Sequence, residues 1–352
     1  MELLELMARG GHDRMVAVQD RVTGLRAWIA LHHVHRGPAY GGIRVWRYRD
    51  EDEAVQDVLR LSRSMTFKCV LSGVPGGGAK TVVLADRLVD RPAAMTRLGE
   101  QIEQLGGLYR CGPDVGFVDA DRVALVKGTR WYAHHGEVLR PAGEATAEGG
   151  EWAIRAALEH TTGSAELAGV TVAVQGLGAV GSALARRLIA AGATVVAADP
   201  NPAACQRARA LGVRLVDPGT IYEQPADVFA PCALGGSLHD LTVQRLRAPI
   251  VTGCANNVLA RPEHAQMLLE REVTCVPDFV VNAGALIEGA GYEQTGATDF
   301  SAEIRRIGDT VRAVLRRADA ANCTPTEAAT EMAREILERD LPGARLLDRS
   351  LG

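Results

Sequence analysis

The chain of 352 residues is poor in several features that would mark particular classes of protein. Aromatic residues make up only 4% of it, and the net charge of -4 leaves no excess of basic residues. A nucleic-acid surface needs a basic patch, and a platform that stacks bases needs aromatic side chains. No apolar run approaches the 18 or so residues that a membrane span requires. We therefore expect neither a nucleic-acid partner nor a membrane partner.

Signals for secretion and for metal binding are also lacking. The amino terminus, "MELLELMARGGHDRM", opens with acidic residues and has no basic segment followed by an apolar stretch, so we expect a cytoplasmic protein. The seven cysteines are scattered without a Cys-x-x-Cys pair, which argues against a disulfide framework and a zinc ribbon. The histidines His32, His33 and His35 have no Cys, Asp or Glu at ligand spacing, so packing or a surface role is favoured over a metal site.

The length suggests two domains, and the two halves of the chain differ in pattern. From Met15 to Asp86, strand-like runs surround one helical segment, which predicts an α/β domain with a mixed sheet. From Gly169 onward strands and helices alternate, which predicts a doubly wound parallel sheet. The segment between them is rich in Gly and Pro near Gly143, where we expect a hinge. The predicted domains are residues 1–143 and 144–323, followed by a closing helix in 324–352.

A glycine motif in the second half predicts a dinucleotide site. In "VTVAVQGLGAVGSALARRL", Gly176, Gly178 and Gly181 follow an apolar strand and open a helix. Asp199 stands at the end of the next strand, at the distance expected for a carboxylate that binds the adenosine ribose. No arginine follows Asp199 to neutralise a 2′-phosphate, so the predicted cofactor is NAD and not NADP.

A second glycine-rich stretch, "SGVPGGGAKTVVLAD", places Lys80 directly before a β-branched strand. A Walker phosphate loop would need a glycine directly before the lysine and a helix after it. This chain has Ala79 before Lys80 and a predicted strand after it. The spacing therefore excludes a Walker loop, and another chemistry must require this lysine.

Several long motifs now resemble the amino-acid dehydrogenase family that includes the leucine, valine, phenylalanine, tryptophan and glutamate dehydrogenases. They occur in the family's order as "GPAYGGIRVW", "LSRSMTFKC", "GVPGGGAKTVV", "CGPDVG", "VAVQGLGAVG", "DVFAPCALGG", "TGCANN" and "PDFVVNAGALI". The resemblance implies two domains separated by a cleft, a Rossmann domain that binds NAD, and a first domain that supplies substrate and oligomer contacts. It also implies that the last helix returns to the first domain and that the protein is a homo-oligomer, either a dimer or an octamer.

The same resemblance implies roles for individual residues. Lys68 would bind the substrate α-carboxylate, Lys80 would activate the hydrolytic water, and Asp114 would handle protons on the substrate amine. Lys68, expected just past the end of its helix, could also be the cation that lowers the pKa of Lys80. Other substrate contacts would come from Tyr40, Gly41, Gly42, Met65, Asn257, Leu286 and Gly289. Contacts with NAD would come from Thr146, Gly176, Gly178, Ala179, Val180, Gly181, Asp199, Pro200, Cys232, Ala233, Ala255, Asn256 and Asn282.

Substrate choice stays open at this point. Glutamate dehydrogenases carry a lysine where this chain has Tyr40, so a nonpolar or aromatic amino acid is favoured over glutamate. Tyr40 and Leu286 would fill the side-chain pocket, whereas Gly289 would open it. Asn256 and Asn257 could equally be turn residues. The chain departs from the family pattern at Pro113, His134, His135 and Glu137. One alternative is therefore a specialised reductase that acts on an unusual oxo acid or amine. Another alternative is a catalytically silent NAD-binding sensor.

Overall fold

A computed structural model describes residues 2–133, 135–233 and 235–340 of the chain. They form two compact units: the described parts of 1–134 and 333–352, and the described part of 135–332. Gly143, near which a hinge is expected, lies in the first turn of the helix Ala142–Thr162, and the hinge stays a prediction. The closing helix runs over Pro325–Asp340, and the rest of the predicted segment to residue 352 lies outside the described residues, as does His134.

The first unit is built on a five-stranded mixed sheet. Its elements in chain order are α1 (Leu3–Gly10), β1 (Arg14–Asp20), β2 (Leu25–Leu31), β3 (Ala39–Trp46), α2 (Glu51–Leu71), β4 (Gly77–Leu84), α3 (Arg91–Glu103), β5 (Tyr109–Pro113) and α4 (Asp119–Leu125). The strand order is β1-β2-β4-β3-β5. β2 runs antiparallel to β1 and β4, whereas β3 runs parallel to β4 and β5. The predicted mixed sheet is confirmed.

Hydrophobic clusters cover both faces of this sheet, which explains the almost continuous apolar sequence of β4. One cluster joins Ile29 and Ile43 to residues of α3, and the other joins Val82 to residues of α2. Every residue of β4 is buried. A polar side chain on β4 is therefore surrounded by the interior of the unit, where it needs a partner.

The helix α2 begins at a capped end and continues further than predicted. The Asp50 side chain accepts a hydrogen bond from the Glu53 backbone N–H at 2.8 Å, which satisfies one of the free donors of the first turn. The helix ends only at Leu71, so Lys68 lies within its last turn. The expectation that Lys68 stands just past the helix is wrong, because the periodicity continues through the buried residues Phe67, Cys69 and Val70.

The second unit contains a six-stranded sheet in which every pair is parallel. Its elements are α5 (Ala142–Thr162), β6 (Thr171–Gln175), α6 (Ala179–Ala190), β7 (Thr194–Ala198), α7 (Pro202–Ala210), β8 (Arg214–Leu215), β9 (Val228–Pro231), α8 (Asp240–Arg245), β10 (Ile250–Val251), α9 (Glu263–Glu270), β11 (Thr274–Cys275), α10 (Asp278–Val281), α11 (Gly284–Thr295), α12 (Ser301–Ala321) and α13 (Pro325–Asp340), the last of which continues into the first unit. In the strand order β11-β10-β9-β6-β7-β8, the chain adds β7 and β8 on one side of β6 and then β9, β10 and β11 on the other side. This order confirms the predicted doubly wound Rossmann sheet and places its ligand crevice at the carboxyl ends of β6 and β9.

The histidine cluster has a packing role at His32, one of its two buried members. The two ring nitrogens of His32 lie 2.8 Å from Thr66 Oγ1 and 2.9 Å from the Gly10 carbonyl oxygen. Burial lowers the pKa of His32 well below its ordinary value, so the ring stays neutral. Within the described residues, no group of three or more His, Cys, Asp or Glu could hold a metal ion. None of the helices found there has the length and apolarity that a bilayer crossing would need.

Candidate active site

A buried ion-pair cluster joins residues of β3 and β4 to the residue that follows β5. The Lys80 Nζ atom lies 2.9 Å from Asp114 Oδ2, and Arg44 Nε donates to the same oxygen at 2.9 Å. The side chains of Lys80 and Asp114 are only 7% and 6% exposed, and that of Arg44 is 13% exposed. The structure therefore brings together the two predicted catalytic residues, and it adds an arginine that the sequence reasoning missed.

The sheet register explains this convergence. β3 lies between β4 and β5, and Ile43 faces Thr81 on one side and Pro113 on the other. Lys80 precedes the first of these partners and Asp114 follows the second, so both flank the same level of β3. At Gly42, a Cβ atom would lie 2.9 Å from Asp114 Cβ and 2.7 Å from the Pro113 carbonyl oxygen. Only glycine allows Asp114 to approach β3 this closely.

The charges of the cluster fix the state of Asp114. Burial alone would raise the pKa of this carboxyl group, because it disfavours the charged form. The neighbouring cations Lys80 and Arg44 outweigh burial, so the pKa of Asp114 lies well below its ordinary value. Asp114 is thus a carboxylate at neutral pH and can accept hydrogen bonds from an ammonium group.

The glycine triplet before Lys80 serves close packing. Gly77 and Gly78 lie within β4, and a Cβ on Gly78 would stand 2.1 Å from the Thr66 backbone nitrogen of α2. The helix that carries Lys68 therefore packs directly against the backbone of the strand that carries Lys80. Lys68 itself is 9% exposed, and Met65 lies about one helical turn before it.

The lysines of this chain are unusually few. Only three occur in the sequence. Lys68 and Lys80 are buried, although lysine is almost never fully buried without a partner. The third, Lys127, is exposed in the turn that follows α4. The burial of two of these three lysines favours the predicted functional roles of Lys68 and Lys80 over a solvated surface role.

Two further predicted substrate residues lie on β3. Tyr40 is 6% exposed, and its ring lies against Gly76, where a Cβ would approach the ring carbon Cε2 at 2.7 Å. Gly41 lies against the backbone of β4, since a Cβ there would overlap the Ala79 carbonyl group. Tyr40 and Gly41 therefore stand on the strand that joins the positions of Lys80 and Asp114.

The predicted cofactor turn has the geometry that dinucleotide binding requires. Gly176 adopts a φ of 94°, and Gly178 precedes the first turn of α6, which begins with Ala179 and Val180. A Cβ on Gly181 would lie 1.9 Å from the Gly176 carbonyl oxygen, whereas a Cβ on Gly178 would meet no atom within 4 Å. The turn thus leaves open space at the N-terminus of a helix, where backbone N–H groups bind phosphate.

Asp199 closes the same turn from the end of β7. Its Oδ2 accepts a hydrogen bond from the Leu177 backbone N–H at 2.6 Å, and its Oδ1 accepts one from the Asn201 N–H at 2.7 Å. Pro200 lies between Asp199 and Asn201 in the sequence. A carboxylate has about four acceptor sites, so ribose hydroxyls can still bind. These residues fit NAD, which would supply the acceptor for a hydride.

The other predicted cofactor residues gather at neighbouring strand ends. The amide of Asn282 donates to Asn256 Oδ1 at 2.8 Å and to the Ala255 carbonyl oxygen at 3.3 Å. Cys232 and Ala233 follow β9, and Ala233 lies close enough to Gly176 to exclude a Cβ there. Thr146 joins this group through its carbonyl oxygen, which accepts a weak bond from Cys254 Sγ at 3.6 Å.

Asn257 adopts the left-handed conformation that was one of its two predicted roles. Its φ is 52°, and its backbone N–H donates to Asp278 Oδ2 at 2.7 Å. The geometry is that of a turn residue, which Asn tolerates better than most residues. Asp278, which the sequence reasoning missed, holds this turn from the start of α10.

The predicted specificity residues of the second unit lie on α11, and one expectation about them is wrong. Gly289 does not open a space, because a Cβ there would lie 2.9 Å from the His135 ring. Glu288, which is 1% exposed, accepts from Arg140 Nε at 2.7 Å. Leu286 is partly buried on the same helix. The histidine from the segment that departs from the family pattern thus fills the volume that glycine leaves.

Known proteins resemble this chain over most of its length. Residues 12–129 match the family described as Glu/Leu/Phe/Val dehydrogenase, dimerisation domain, and residues 205–300 match Glutamate/Leucine/Phenylalanine/Valine dehydrogenase. Residues 139–242 match the NAD-binding domain of the D-isomer specific 2-hydroxyacid dehydrogenases.

Individual relatives cover nearly all of the chain. A leucine dehydrogenase from Geobacillus stearothermophilus is 37% identical over 96% of this chain and 94% of its own length. A phenylalanine dehydrogenase from Lysinibacillus sphaericus is 38% identical over 79% of this chain and 76% of its own. The crystal structure of L-tryptophan dehydrogenase from Nostoc punctiforme superposes with a TM-score of 0.82 and 32% identity, covering 96% of this chain and 99% of that one.

The second unit has a parallel sheet with a glycine turn and an acidic residue at the end of the next strand. The first unit has a buried lysine–carboxylate pair. These features together indicate an NAD-dependent dehydrogenase. The chain belongs to the Glu/Leu/Phe/Val dehydrogenase family. It is an NAD-dependent amino-acid dehydrogenase.

Proposed function

We propose that the protein catalyses the NAD-dependent oxidative deamination of a nonpolar or aromatic L-amino acid to its 2-oxo acid and ammonia, and the reverse reductive amination. The observation that carries this proposal is the buried pair of Lys80, within β4, and Asp114, directly after β5, on the two sides of β3. Support for the substrate class comes from the names of the relatives, which are leucine, phenylalanine and tryptophan dehydrogenases. Tyr40, in place of the lysine of glutamate enzymes, disfavours an acidic side chain.

The residues of the first unit supply the polar chemistry in this proposal. Lys68 binds the α-carboxylate as a buried cation. After the α-carbon has lost its hydride, the substrate is an imine, which water attacks at the same carbon. Lys80 takes the proton from that water and passes it to the Asp114 carboxylate. Asp114 then passes this proton to the amine, so that the C–N bond breaks and ammonia leaves. In the resting protein, the neighbouring cations Lys80 and Arg44 keep Asp114 ionised in spite of its burial.

The residues of the second unit hold the cofactor. The turn from Gly176 to Gly181 and the helix start at Ala179 would bind the pyrophosphate, and Asp199 would bind the adenosine ribose. Asn282 and Asn256 would orient the nicotinamide, and Asn257 would orient the substrate. In this arrangement the charged groups of the first unit act on the substrate, and the second unit binds NAD.

We further infer the setting in which the enzyme works. Residues 1–143 with the end of the last helix would form the substrate and oligomerisation domain, and residues 144–323 the NAD domain. The match of residues 12–129 to a dimerisation domain supports a homo-oligomer. A cytoplasmic location is part of this proposal.

The test is the consumption of NADH with ammonia and a panel of aliphatic, aromatic and acidic 2-oxo acids, repeated with NADPH. We expect turnover with an apolar acid, a weak response to 2-oxoglutarate and a strong preference for NADH. Turnover only with an unusual oxo acid or another amine would favour a specialised reductase. Binding of NADH without turnover across the panel would contradict the proposal and favour a sensor.

A further inference from the structure

A second layer of side chains lies behind Asp114. Arg44 binds Asp114 through Nε and at the same time donates through Nη1 to Asp57 Oδ2 at 2.9 Å. The Tyr48 hydroxyl donates to that same Asp57 oxygen at 2.7 Å, and Arg60 binds the other oxygen at 2.6 Å. Asp57 lies on α2 and Tyr48 in the loop before that helix. Arg44 is therefore held from both sides.

We propose that Arg44 is a positioning residue of the active site, which Asp57 and Tyr48 hold in place and which keeps the Asp114 carboxylate ionised and directed at Lys80. The proposal depends on the proposed function only for the roles of Lys80 and Asp114 in turnover. Its claim about the carboxylate concerns the resting protein and can be tested without a substrate.

Arg44 does more than neutralise a buried charge. Lys80 already supplies one cation to Asp114, so a second cation on the same carboxylate oxygen exceeds what pairing requires. Buried ion pairs also contribute little net stability, because desolvation offsets most of the attraction. An arrangement that a stable fold does not need is better explained by the charge and orientation that it gives to Asp114.

The chemistry of arginine suits this position. The guanidinium is planar and presents several N–H donors at fixed angles, so Nε and Nη1 can bind two different carboxylates without moving. A lysine has one charged nitrogen on a flexible stem and could not hold both acids in the same geometry. Tyr48 fixes the far acid, because burial and the adjacent Asp57 raise the pKa of Tyr48 and keep its hydroxyl as a donor.

Three groups act on Asp114 from the packed strands. They are Lys80 on β4, Arg44 on β3 and the neutral Tyr109 on β5, whose pKa burial raises well above its ordinary value. Removal of Arg44 leaves Lys80 as the sole cation among these three. A carboxyl group that loses one adjacent arginine is expected to bind protons about one to three pH units higher.

The test compares Arg44→Gln, Arg44→Lys and Tyr48→Phe with the wild-type enzyme. For Arg44→Gln we expect the acidic limb of kcat/KM to move up by about one pH unit or more and the plateau to fall about tenfold or more. Arg44→Lys should restore most of the pH limb, because the charge remains, but not the plateau. Tyr48→Phe should lower kcat a few fold without moving KM for NADH.

A matched control separates positioning from folding. Arg91→Gln breaks another ion pair of the same unit, in which Arg91 Nε donates to the buried Asp121 at 2.7 Å. It should lower thermal stability without moving the pH profile. Carboxyl ¹³C NMR titration of Asp114 in the resting wild type and in Arg44→Lys and Tyr48→Phe provides a readout that needs no turnover, should Arg44→Gln not fold.

The outcomes are distinguishable. An upward shift of the Asp114 titration and of the acidic limb in Arg44→Gln, absent in Arg91→Gln, supports the proposal. An unmoved Asp114 titration in Arg44→Gln overturns it, as does an equal shift in Arg91→Gln. Should Arg44→Gln not fold, an Arg44→Lys variant that keeps the full wild-type plateau overturns it. If the wild-type enzyme fails to turn over any substrate, the proposed function fails, while the titration still decides the role of Arg44.

Discussion

In the first unit the candidate catalytic groups are side chains from several separate elements, whereas in the second unit the candidate cofactor site is largely the backbone of one strand-to-helix turn. Lys80, Asp114 and Arg44 come from three places on the sheet and hold one another by charge. Gly176 adopts a positive φ in its turn, and Gly178 leads directly into α6. A site made of charged side chains from separate parts of the sequence should respond to changes in charge and pH. A site made of backbone groups should respond to added side-chain volume.

The largest effect is expected from the removal of Lys80 from the charged site. Lys80→Ala should lower kcat by about 10²- to 10⁴-fold, because it removes the group proposed to activate water. NADH binding, measured by fluorescence, should change little, since the cofactor residues lie in the other unit. Lys127→Ala, which removes an exposed lysine of the same unit, serves as the control and should leave both quantities unchanged. Near-normal turnover of Lys80→Ala would show that the assigned role is wrong.

The complementary change acts on shape. Gly178→Ala places a methyl group in open space, so we expect an unchanged melting temperature but a Kd for NADH about tenfold higher, equivalent to about 1.4 kcal/mol.

The last glycine of the same motif provides the contrast. Gly181→Ala would bring a methyl group against the Gly176 carbonyl oxygen and should destabilise the unit by roughly 1–3 kcal/mol in thermal unfolding. Equal melting temperatures for the two variants would contradict this account of the turn.

A third prediction concerns acid stability of the charged site. Because the pKa of Asp114 is lowered in the folded state, its carboxylate stabilises the fold fully above the unfolded pKa of about 3.9 and progressively less as pH falls toward the folded value. The free energy of unfolding of the wild type should therefore decrease as the pH falls from about 5 to 3.

Urea titrations at each pH test this slope. Asp114→Asn should lower stability at neutral pH, since Lys80 and Arg44 lose a buried partner, and should flatten the acid slope. Asp119→Asn, at an exposed position, should retain the wild-type slope. An unchanged slope in Asp114→Asn would mean that other carboxyl groups cause the acid dependence.

The smallest effect concerns the substrate pocket. Tyr40→Leu should shift the ratio of kcat/KM between 2-oxo acids of different length by about tenfold, because it changes the volume beside the candidate site. Tyr40→Phe keeps the ring and removes only the hydroxyl, so it tells size from polarity. Identical substrate profiles for both variants and the wild type would exclude Tyr40 as a specificity residue.

Local patterns predicted those parts of the molecule that depend on neighbours in sequence. The strand, glycine turn and acidic residue from β6 to Asp199 are of this kind. Motifs shared with the family suggested Lys80 and Asp114. Arg44 escaped notice because its partners follow from sheet pairing, although a charged residue two positions after Gly42 on a buried strand was a usable signal.

The position of the His135 ring beside Gly289 also required structure. Glycine in a motif suggests free space when only its own neighbours are considered, but the volume depends on what another segment places there. His135 comes from a stretch that departs from the family pattern, so resemblance could not supply its position. The end of α2 was similarly misjudged, because buried residues after Met65 continue the helix through Lys68.

The scarcity of lysine has a practical consequence. Two of the three lysine amines are buried and the third, Lys127, is exposed. Most positive charge is carried by arginine, whose guanidinium stays protonated and is a poor nucleophile toward amine-selective reagents. A dye, a crosslinker or a solid support directed at lysine side chains would therefore attach at one position and leave Lys68 and Lys80 unmodified. Molecules immobilised through that attachment would all present the same face to the solution.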